Sequence, residues 1–318
     1  MNILNQNKIR VGIIRGGVGD GYETSLKEGG YIISCIFENL YPKYKPIDIF
    51  IDKEGQWHIS GIPVSPADLL HRIDVAWNSS HHSYSNVLNN LSLSHISVPV
   101  FSNFLNNKDR LKEHLKEINI KMPRHILIPP YQEDIDGPKD KYIFRKAREV
   151  LEKFGGPWII KSFTDVSDKG IYVAKTFEKL MFAIGELASF DKSILVEELI
   201  EGKKAGVHTI RDFRKQDYYS LFPFEHKDDN VFSTGNFSST EKEELLNMSK
   251  NICKFLNVEN YLLTNFVLNK NRGIYLSNID FSPDFSPDSH FHKSCEEIGI
   301  NGHNILEHML KKSLSFNK

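Results

Sequence analysis

The chain has 318 residues, more than one ordinary core holds, so it divides into two or three domains. Its 40% apolar and 25% charged fractions are those of a globular protein with a sizeable core. A formal net charge of −1, with no basic stripe, argues against nucleic acid as the main partner. Cys35, Cys253 and Cys295 lie far apart and suggest neither a disulfide framework nor a zinc knuckle. The first ten residues lack the long apolar stretch of a signal peptide, and no segment has the apolar length of a bilayer span. These features predict a cytoplasmic protein with no membrane partner.

In chain order, Ile9 to Ile14 reads as a buried parallel strand followed by the glycine-rich loop Arg15 to Gly21. A helix is expected from Thr24 or Ser25, either able to cap it, to about Asn39. Strands follow at Ile47 to Ile51 and Val75 to Asn78, with a helical turn near Pro66 to His71 between them. Tyr84 to Leu93 reads as helix and Val98 to Phe101 as strand. This alternation predicts an α/β domain with a parallel sheet over about 1–103.

An amphipathic helix at Asn107 to Leu115 opens a second region. Strands are expected at His125 to Ile128, Trp158 to Phe163, Ile171 to Ala174 and Ser193 to Ile200, with helices at Phe144 to Phe154 and Phe177 to Ala188. The last region has strands near Tyr218 to Phe224, a helix over Thr240 to Phe255 and a final helix near Asn304 to Leu314. Ser/Asn-rich Asn230 to Ser239 reads as a loop.

Within that region, Tyr261 to Leu268 and Gly273 to Asp280 read as a hairpin joined by Asn269-Lys-Asn-Arg-Gly273. Asn278 and Asp280 are two positions apart and share a face. With Asn265 they offer oxygen ligands of the kind Mg2+ prefers. Lys161 closes an apolar strand beside a Ser/Asp/Gly loop, as a phosphate-binding lysine does, although a snorkelling surface lysine reads the same way. Glu197-Glu198-Leu199-Ile200 ends another strand, where backbone groups and a carboxylate can meet an adenine edge. Gly17-Val-Gly19-Asp-Gly21 lacks the spacing of a dinucleotide fingerprint, which argues against an oxidoreductase. Ser25 and Ser289 have no linked base motif, which argues against a hydrolase. His81-His82 and His290 with His292 read as solvated loop histidines rather than zinc ligands.

Taken in order, these segments resemble the ATP-grasp superfamily, and within it the D-alanine–D-alanine ligase family. Gly16-Gly17 with Glu23-Thr-Ser-Leu26 is similar to the family's Gly-Gly loop and Glu-Val-Ser-Leu. Lys108-Asp109 resembles its Asp-Lys helix start, Pro157-Trp-Ile-Ile-Lys161 its Pro-Val-Val-Val-Lys-Pro, and Ser167-Asp-Lys-Gly-Ile171 its Ser-Ser-Val-Gly. Ile194-Leu-Val-Glu-Glu-Leu-Ile-Glu-Gly202 is close to its Val-Leu-Val-Glu-Glu-Phe-Ile-Glu-Gly, and Tyr275-Leu-Ser-Asn-Ile-Asp-Phe-Ser-Pro283 to its Tyr-Leu-Asn-Glu-Ile-Asn-Thr-Ser-Pro.

The resemblance implies an ATP-grasp fold of mixed α/β and α+β type: an N-terminal parallel-sheet domain over 1–103 and ATP-grasp subdomains over 104–196 and 197–318, with ATP between the last two. It implies an ATP-dependent carboxylate–amine ligase of peptidoglycan type, using ATP and Mg2+ on small amino-acid substrates and proceeding through an acyl phosphate. Dimerisation is a further expectation of the family. Lys108, Lys161 and Ser167 would hold phosphates, Glu197 with the Glu198 to Ile200 backbone would hold adenine, and Asn265, Asn278 and Asp280 would ligate Mg2+. Glu23 would orient the amino group of a first substrate and Ser289 contact the carboxylate of a second.

Departures from the family pattern concentrate on the chemistry. Asn265 stands for Asp, Asn278 for Glu and Asp280 for Asn, so the hairpin has one carboxylate where the family has two. Asp284 replaces a Gly of the oxyanion site, Leu263 an Arg, Lys204 the ribose-binding Glu, and Trp77-Asn78-Ser79 a His-Gly motif. The closing loop with its Tyr and Lys has no clear counterpart beyond Lys227 or Phe232. Three readings stay open: a site rebuilt for another carboxylate–amine pair, with Arg211 or Arg214 replacing the lost arginine; nucleotide binding without turnover; or an interaction module.

Overall fold

The computed structural model describes residues 8–19, 21–97, 108–162, 170–190, 192–226, 232–233 and 236–315, with the backbone alone at Lys108, Asp109, Phe232 and Ser233. The chain forms two compact units, one of Met1–Leu111, Lys204–Phe266 and Asn278–Lys318, the other of Lys112–Lys203 and Val267–Ser277.

The first sheet contains β1 (Ile9–Gly16), β2 (Tyr44–Ile51), β3 (Trp57–Ile59), β4 (Ile62–Val64), β5 (Val75–Asn78) and β6 (His95–Ile96). Its order is β4-β3-β2-β1-β5-β6. The pairs around β1 are parallel, while β3 and β4 add antiparallel. Val11, Ile13 and Ile14 are fully buried, the signature of a strand covered on both faces. Helix α1 (Tyr22–Cys35) starts earlier than expected and runs on into a π-turn at Ile36–Leu40. Ser25 does not cap it; its hydroxyl accepts the Gly16 N–H at 2.9 Å and fastens the glycine loop. Gly16 itself has φ +86°, and a Cβ there would lie 2.2 Å from the Ile51 carbonyl oxygen, so only glycine ends β1 this way. The β3–β4 hairpin was not evident in the sequence, because its strands are three residues each. Helix α2 spans Tyr84–Asn90. The strand expected at Val98 to Phe101 lies outside the described residues.

After α3 (Lys108–Lys116), a four-stranded antiparallel sheet forms from β7 (His125–Ile128), β8 (Trp158–Ser162), β9 (Tyr172–Ala174) and β10 (Ile194–Glu198), in the order β7-β10-β8-β9. Helices α4 (Glu133–Asp136), α5 (Lys139–Lys153) and α6 (Phe177–Leu187) accompany it. The core under this sheet joins Tyr142, Ile160, Leu180, Ile184 and Val196.

The third sheet consists of β11 (Lys203–Arg211), β12 (Tyr218–Ser220), β13 (Phe224–His226), β14 (Phe232–Ser233), β15 (Tyr261–Asn269) and β16 (Gly273–Asp280), in the order β14-β13-β11-β15-β16 with β12 beside β11. Helix α7 (Ser239–Phe255) begins with a Ser238/Glu241 capping box. Central strand β11 was missed in the sequence because it opens on Lys203-Lys204 and contains Gly206, both poor strand signals. Also missed was α8 (His290–Glu297), which puts His290 and His292 on a packed helix rather than in a solvated loop. Helix α9 (Gly302–Ser315) ends the described chain. Val11, Ile13 and Trp77 share one core with Tyr261, Phe291 and Leu306. Among the described residues, no helix is long and apolar enough to cross a membrane.

Gly206 pairs with Phe224, and a Cβ on it would sit 2.2 Å from the Phe224 ring. Gly206→Ala is expected to cost about 1–3 kcal/mol by overpacking. A thermal scan should show the melting temperature falling by several degrees, and an unchanged value would contradict the packing.

Candidate functional site

Lys161 and Glu197 stand on neighbouring strands. Lys161 faces Leu195 in the β8–β10 register and alternates with buried Ile160 and Ser162, so it shares the more open face with Glu197. Its Nζ lies 3.1 Å from Glu197 Oε2, with the lysine side chain 33% exposed and the glutamate 9%. The pair sets a partly exposed cation against a buried carboxylate on one face of the sheet.

Next along β10, Glu198 is committed to structure. Arg124 approaches it with Nε at 2.9 Å and Nη2 at 3.1 Å, and Arg272 with Nη1 at 2.6 Å. Burial alone would raise this carboxyl; the hydrogen bonds of the two guanidiniums outweigh it and bring the pKa down to about 2. The Glu198 N–H donates to the Arg124 carbonyl and the Leu199 N–H to the Pro157 carbonyl. Asn269 holds the Glu201 carbonyl at 2.8 Å. The side chain of Glu198 is therefore a brace within the protein, and buried Ile200 follows just past the strand end. Lys204 is exposed near the start of β11, and Lys108 begins α3. Ser167 and Lys227 lie outside the described residues.

On the β15–β16 hairpin, strand alternation leaves Asn278 and Asp280 exposed on one face, with Leu276 buried earlier along it. Asn265 sits on the less buried face of β15, between buried Thr264 and Phe266. Its Oδ1 lies 2.9 Å from His226 Nε2. Asp280 accepts the Ser282 N–H at 2.9 Å, and Asp284 the Ser286 N–H at 2.8 Å. Asp280 is open to solvent yet surrounded by protein on most sides, and this crowding raises its pKa, with Asp284 adding repulsion. Glu28 on α1 completes an acidic group: burial first, then Asp280 and Asp284, push its carboxyl up to about 7.

Among the described residues no three acidic, histidine or cysteine side chains converge as metal ligands. A dication here would depend on the amide oxygens of Asn265 and Asn278 with the Asp280 carboxylate. That all-oxygen set, with two further acids in electrostatic reach, fits a hard cation in kind.

The remaining candidates are scattered differently. Glu23 is exposed in the first turn of α1. Ser289 is buried and caps α8, its hydroxyl accepting the His292 N–H at 3.2 Å. Asn78 is buried and knits its own loop, accepting the Ser80 N–H and donating to the His81 carbonyl. Arg211 and Arg214, considered in place of the missing arginine, both have partners within the protein. Arg211 is held by Asn257 and the Val258 carbonyl, Arg214 by the Tyr219 hydroxyl and the Ile298 carbonyl. Glu28 and His226 were missed: one is an ordinary helix glutamate and the other an ordinary strand-end histidine until the fold gives them neighbours.

An antiparallel sheet with a lysine–glutamate face, a following sheet with an oxygen-bearing hairpin and an N-terminal parallel sheet together define an ATP-grasp protein. Residues 126–311 match the family described as D-ala D-ala ligase C-terminus. D-alanine–D-alanine ligase from Oceanobacillus iheyensis is 22% identical over 98% of this chain and 96% of its own. D-alanyl-alanine synthetase A from Vibrio cholerae superposes with a TM-score of 0.76 at 18% identity, over 98% of this chain and 99% of its own. D-alanine–D-alanine ligase from Bacillus anthracis complexed with ATP gives 0.71 at 18%, over 97% and 98%. The chain belongs to the D-alanine–D-alanine ligase family of ATP-dependent ligases.

Two titrations test this electrostatic picture. Glu198 has a depressed pKa, so its stabilisation is present above the unfolded value of 4.5 and is lost as pH falls towards about 2. The full shift would be about 3 kcal/mol, and half-exposed guanidiniums reduce it to about 2. Glu198→Gln should therefore lower the melting temperature at pH 7, with the gap to the parent narrowing below pH 4.5. Glu28 has the opposite sign: its raised pKa makes the ionised form costly as pH climbs from 4.5 through about 7. In metal-free buffer Glu28→Gln should raise the melting temperature at pH 8 and leave it unchanged at pH 4; equal effects at both would contradict the clustering.

Proposed function

We propose that this protein joins the carboxylate of one small amino acid to the amine of another at the expense of ATP, in the cytoplasm. What supports this reading most is the match of residues 126–311 to the family described as D-ala D-ala ligase C-terminus. The matching relatives named D-alanine–D-alanine ligase support alanine-like substrates.

In this reading a carboxylate oxygen attacks the γ-phosphorus of ATP; the new P–O bond forms as the bond to ADP breaks. The amine lone pair of the second substrate then attacks the acyl carbon, phosphate leaves, and the amine proton passes to solvent or base. Lys161 and Lys108 neutralise charge on the transferring phosphate, which is where most catalysis of this type arises, and Ser167 donates a hydrogen bond to it. Glu197 and Ile200 flank the adenine, and Lys204 takes the ribose side. Glu23 orients the ammonium of the first amino acid and buried Ser289 offers its O–H to the carboxylate of the second. Asn265, Asn278 and Asp280 would hold Mg2+, which when bound would supply further neutralisation of phosphate charge.

The test is thermal stabilisation by ATP, with and without Mg2+, followed by phosphate release over a panel of D- and L-amino acids. At a nucleotide concentration one hundred times Kd, about 2.7 kcal/mol of stabilisation is expected. Lys161→Ala should lose most of it. Absence of any nucleotide-dependent shift in the parent would overturn the proposal; a shift without phosphate release on any amino acid would leave a nucleotide binder.

A further inference from the structure

His226 closes β13, and Asn265 stands on β15; both strands flank β11 in the third sheet. His226 Nε2 reaches Asn265 Oδ1 at 2.9 Å. The imidazole is itself held in place. Its edge meets Phe224 at 4.8 Å and His290 at 5.2 Å between ring centres. His290 in turn lies flat on Phe224, at 4.6 Å and 14°. Burial lowers the pKa of His290. An aromatic wall therefore fixes the ring whose polar edge is directed at the amide.

That contact meets a chemical asymmetry. A carboxylate offers the same oxygen to a cation after a half-turn of its end, but an amide does not. Turned one way Asn265 presents an oxygen, and turned the other it presents an NH2 whose hydrogens repel a dication. With Oδ1 facing Nε2, the Nε2–H tautomer of the histidine would donate to it; an amide oxygen has two lone pairs, so accepting this bond is compatible with ligation. We infer that His226 is a positioning residue: it selects the amide orientation in which Asn265 is a metal ligand, a device needed because this hairpin has Asn in that place. Groups that orient a ligand in this way commonly change metal affinity tenfold or more when removed. The inference deepens the ligase reading and rests on its assignment of Asn265 to the metal.

Two measurements on the full chain test it. In metal-free protein, the side-chain amide resonance of Asn265 should shift or broaden in His226→Phe, which keeps a ring but has no donor. In thermal scans at fixed ATP, the Mg2+ concentration giving half the stabilisation should rise about tenfold in His226→Phe. His226→Gln, which keeps an N–H donor, should recover most of the loss. In an Asn265→Asp background the same His226→Phe change should have little further effect, since either carboxylate oxygen serves. An unaltered Asn265 resonance, an unaltered Mg2+ midpoint, or an equal penalty in the parent and Asn265→Asp backgrounds overturns the role of His226. A parent that shows no Mg2+ dependence instead removes the metal assignment and the ligase reading, and the resonance then decides the histidine–amide contact by itself.

Discussion

One buried carboxylate carries much of the architecture. Glu198, 6% exposed at its side chain, is gripped by Arg124 just before β7 and by Arg272 in the turn between β15 and β16. Three chain segments, the entry to β7, the end of β10 and the tip of the hairpin, thus converge on two oxygens. Lys121 continues the junction by donating to the Arg272 carbonyl, while its own carbonyl accepts the Leu276 N–H. Glycine at 202 lets the chain pass the Leu268 carbonyl, where a Cβ would lie 2.2 Å away. Removing either arginine leaves the buried Glu198 carboxylate less compensated, so the three side chains behave as a single joint.

The joint adjoins the Lys161–Glu197 pair, proposed here to face the nucleotide. Glu197 precedes the brace and steadies Lys161; the same hairpin whose turn supplies Arg272 supplies Asn265, Asn278 and Asp280 along its strands. Adjacent glutamates thus divide the work by strand alternation, one facing the lysine and the other the arginines. At the hairpin, charge is redistributed rather than simply reduced. The strands contribute one carboxylate and two amides, while Asp284 from the following loop and Glu28 from α1 bring negative potential from outside the hairpin. In the proposed metal site an amide would be a weaker but directional ligand, so a fixed donor beside Asn265 would matter more than beside an aspartate.

Much of the scaffold was legible because its signals are local. The apolar run Trp158 to Ser162 ending near Lys161, the Val-Glu-Glu strand end and the Asn269 to Gly273 turn each declare themselves within about ten residues through alternation and turn chemistry. Helix α7 was read from Thr240 and begins at Ser239, its start fixed by a Ser238/Glu241 capping box seen only in the structure. Strand β11 was illegible because its lysines and glycine answer to neighbours across the sheet, Gly206 making room for the Phe224 ring. Helix α8 was illegible because its short histidine-rich segment is helical through a serine cap and through packing on Phe224 and Phe285, not through a strong apolar stripe.

By itself the amino-acid sequence determined which residue types occur on which strand or turn and in what order, and that order was enough to place the chain in its family. Tertiary structure alone decided partners. It made the Glu198 side chain a brace, tied Arg211 and Arg214 to loop carbonyls, and brought Glu28 to Asp280 and His226 to Asn265. The reason is physical: strand period and turn preference act over a few residues, whereas the Arg124–Glu198 and Arg272–Glu198 contacts each span 74 residues and exist only once sheet order sets their neighbours.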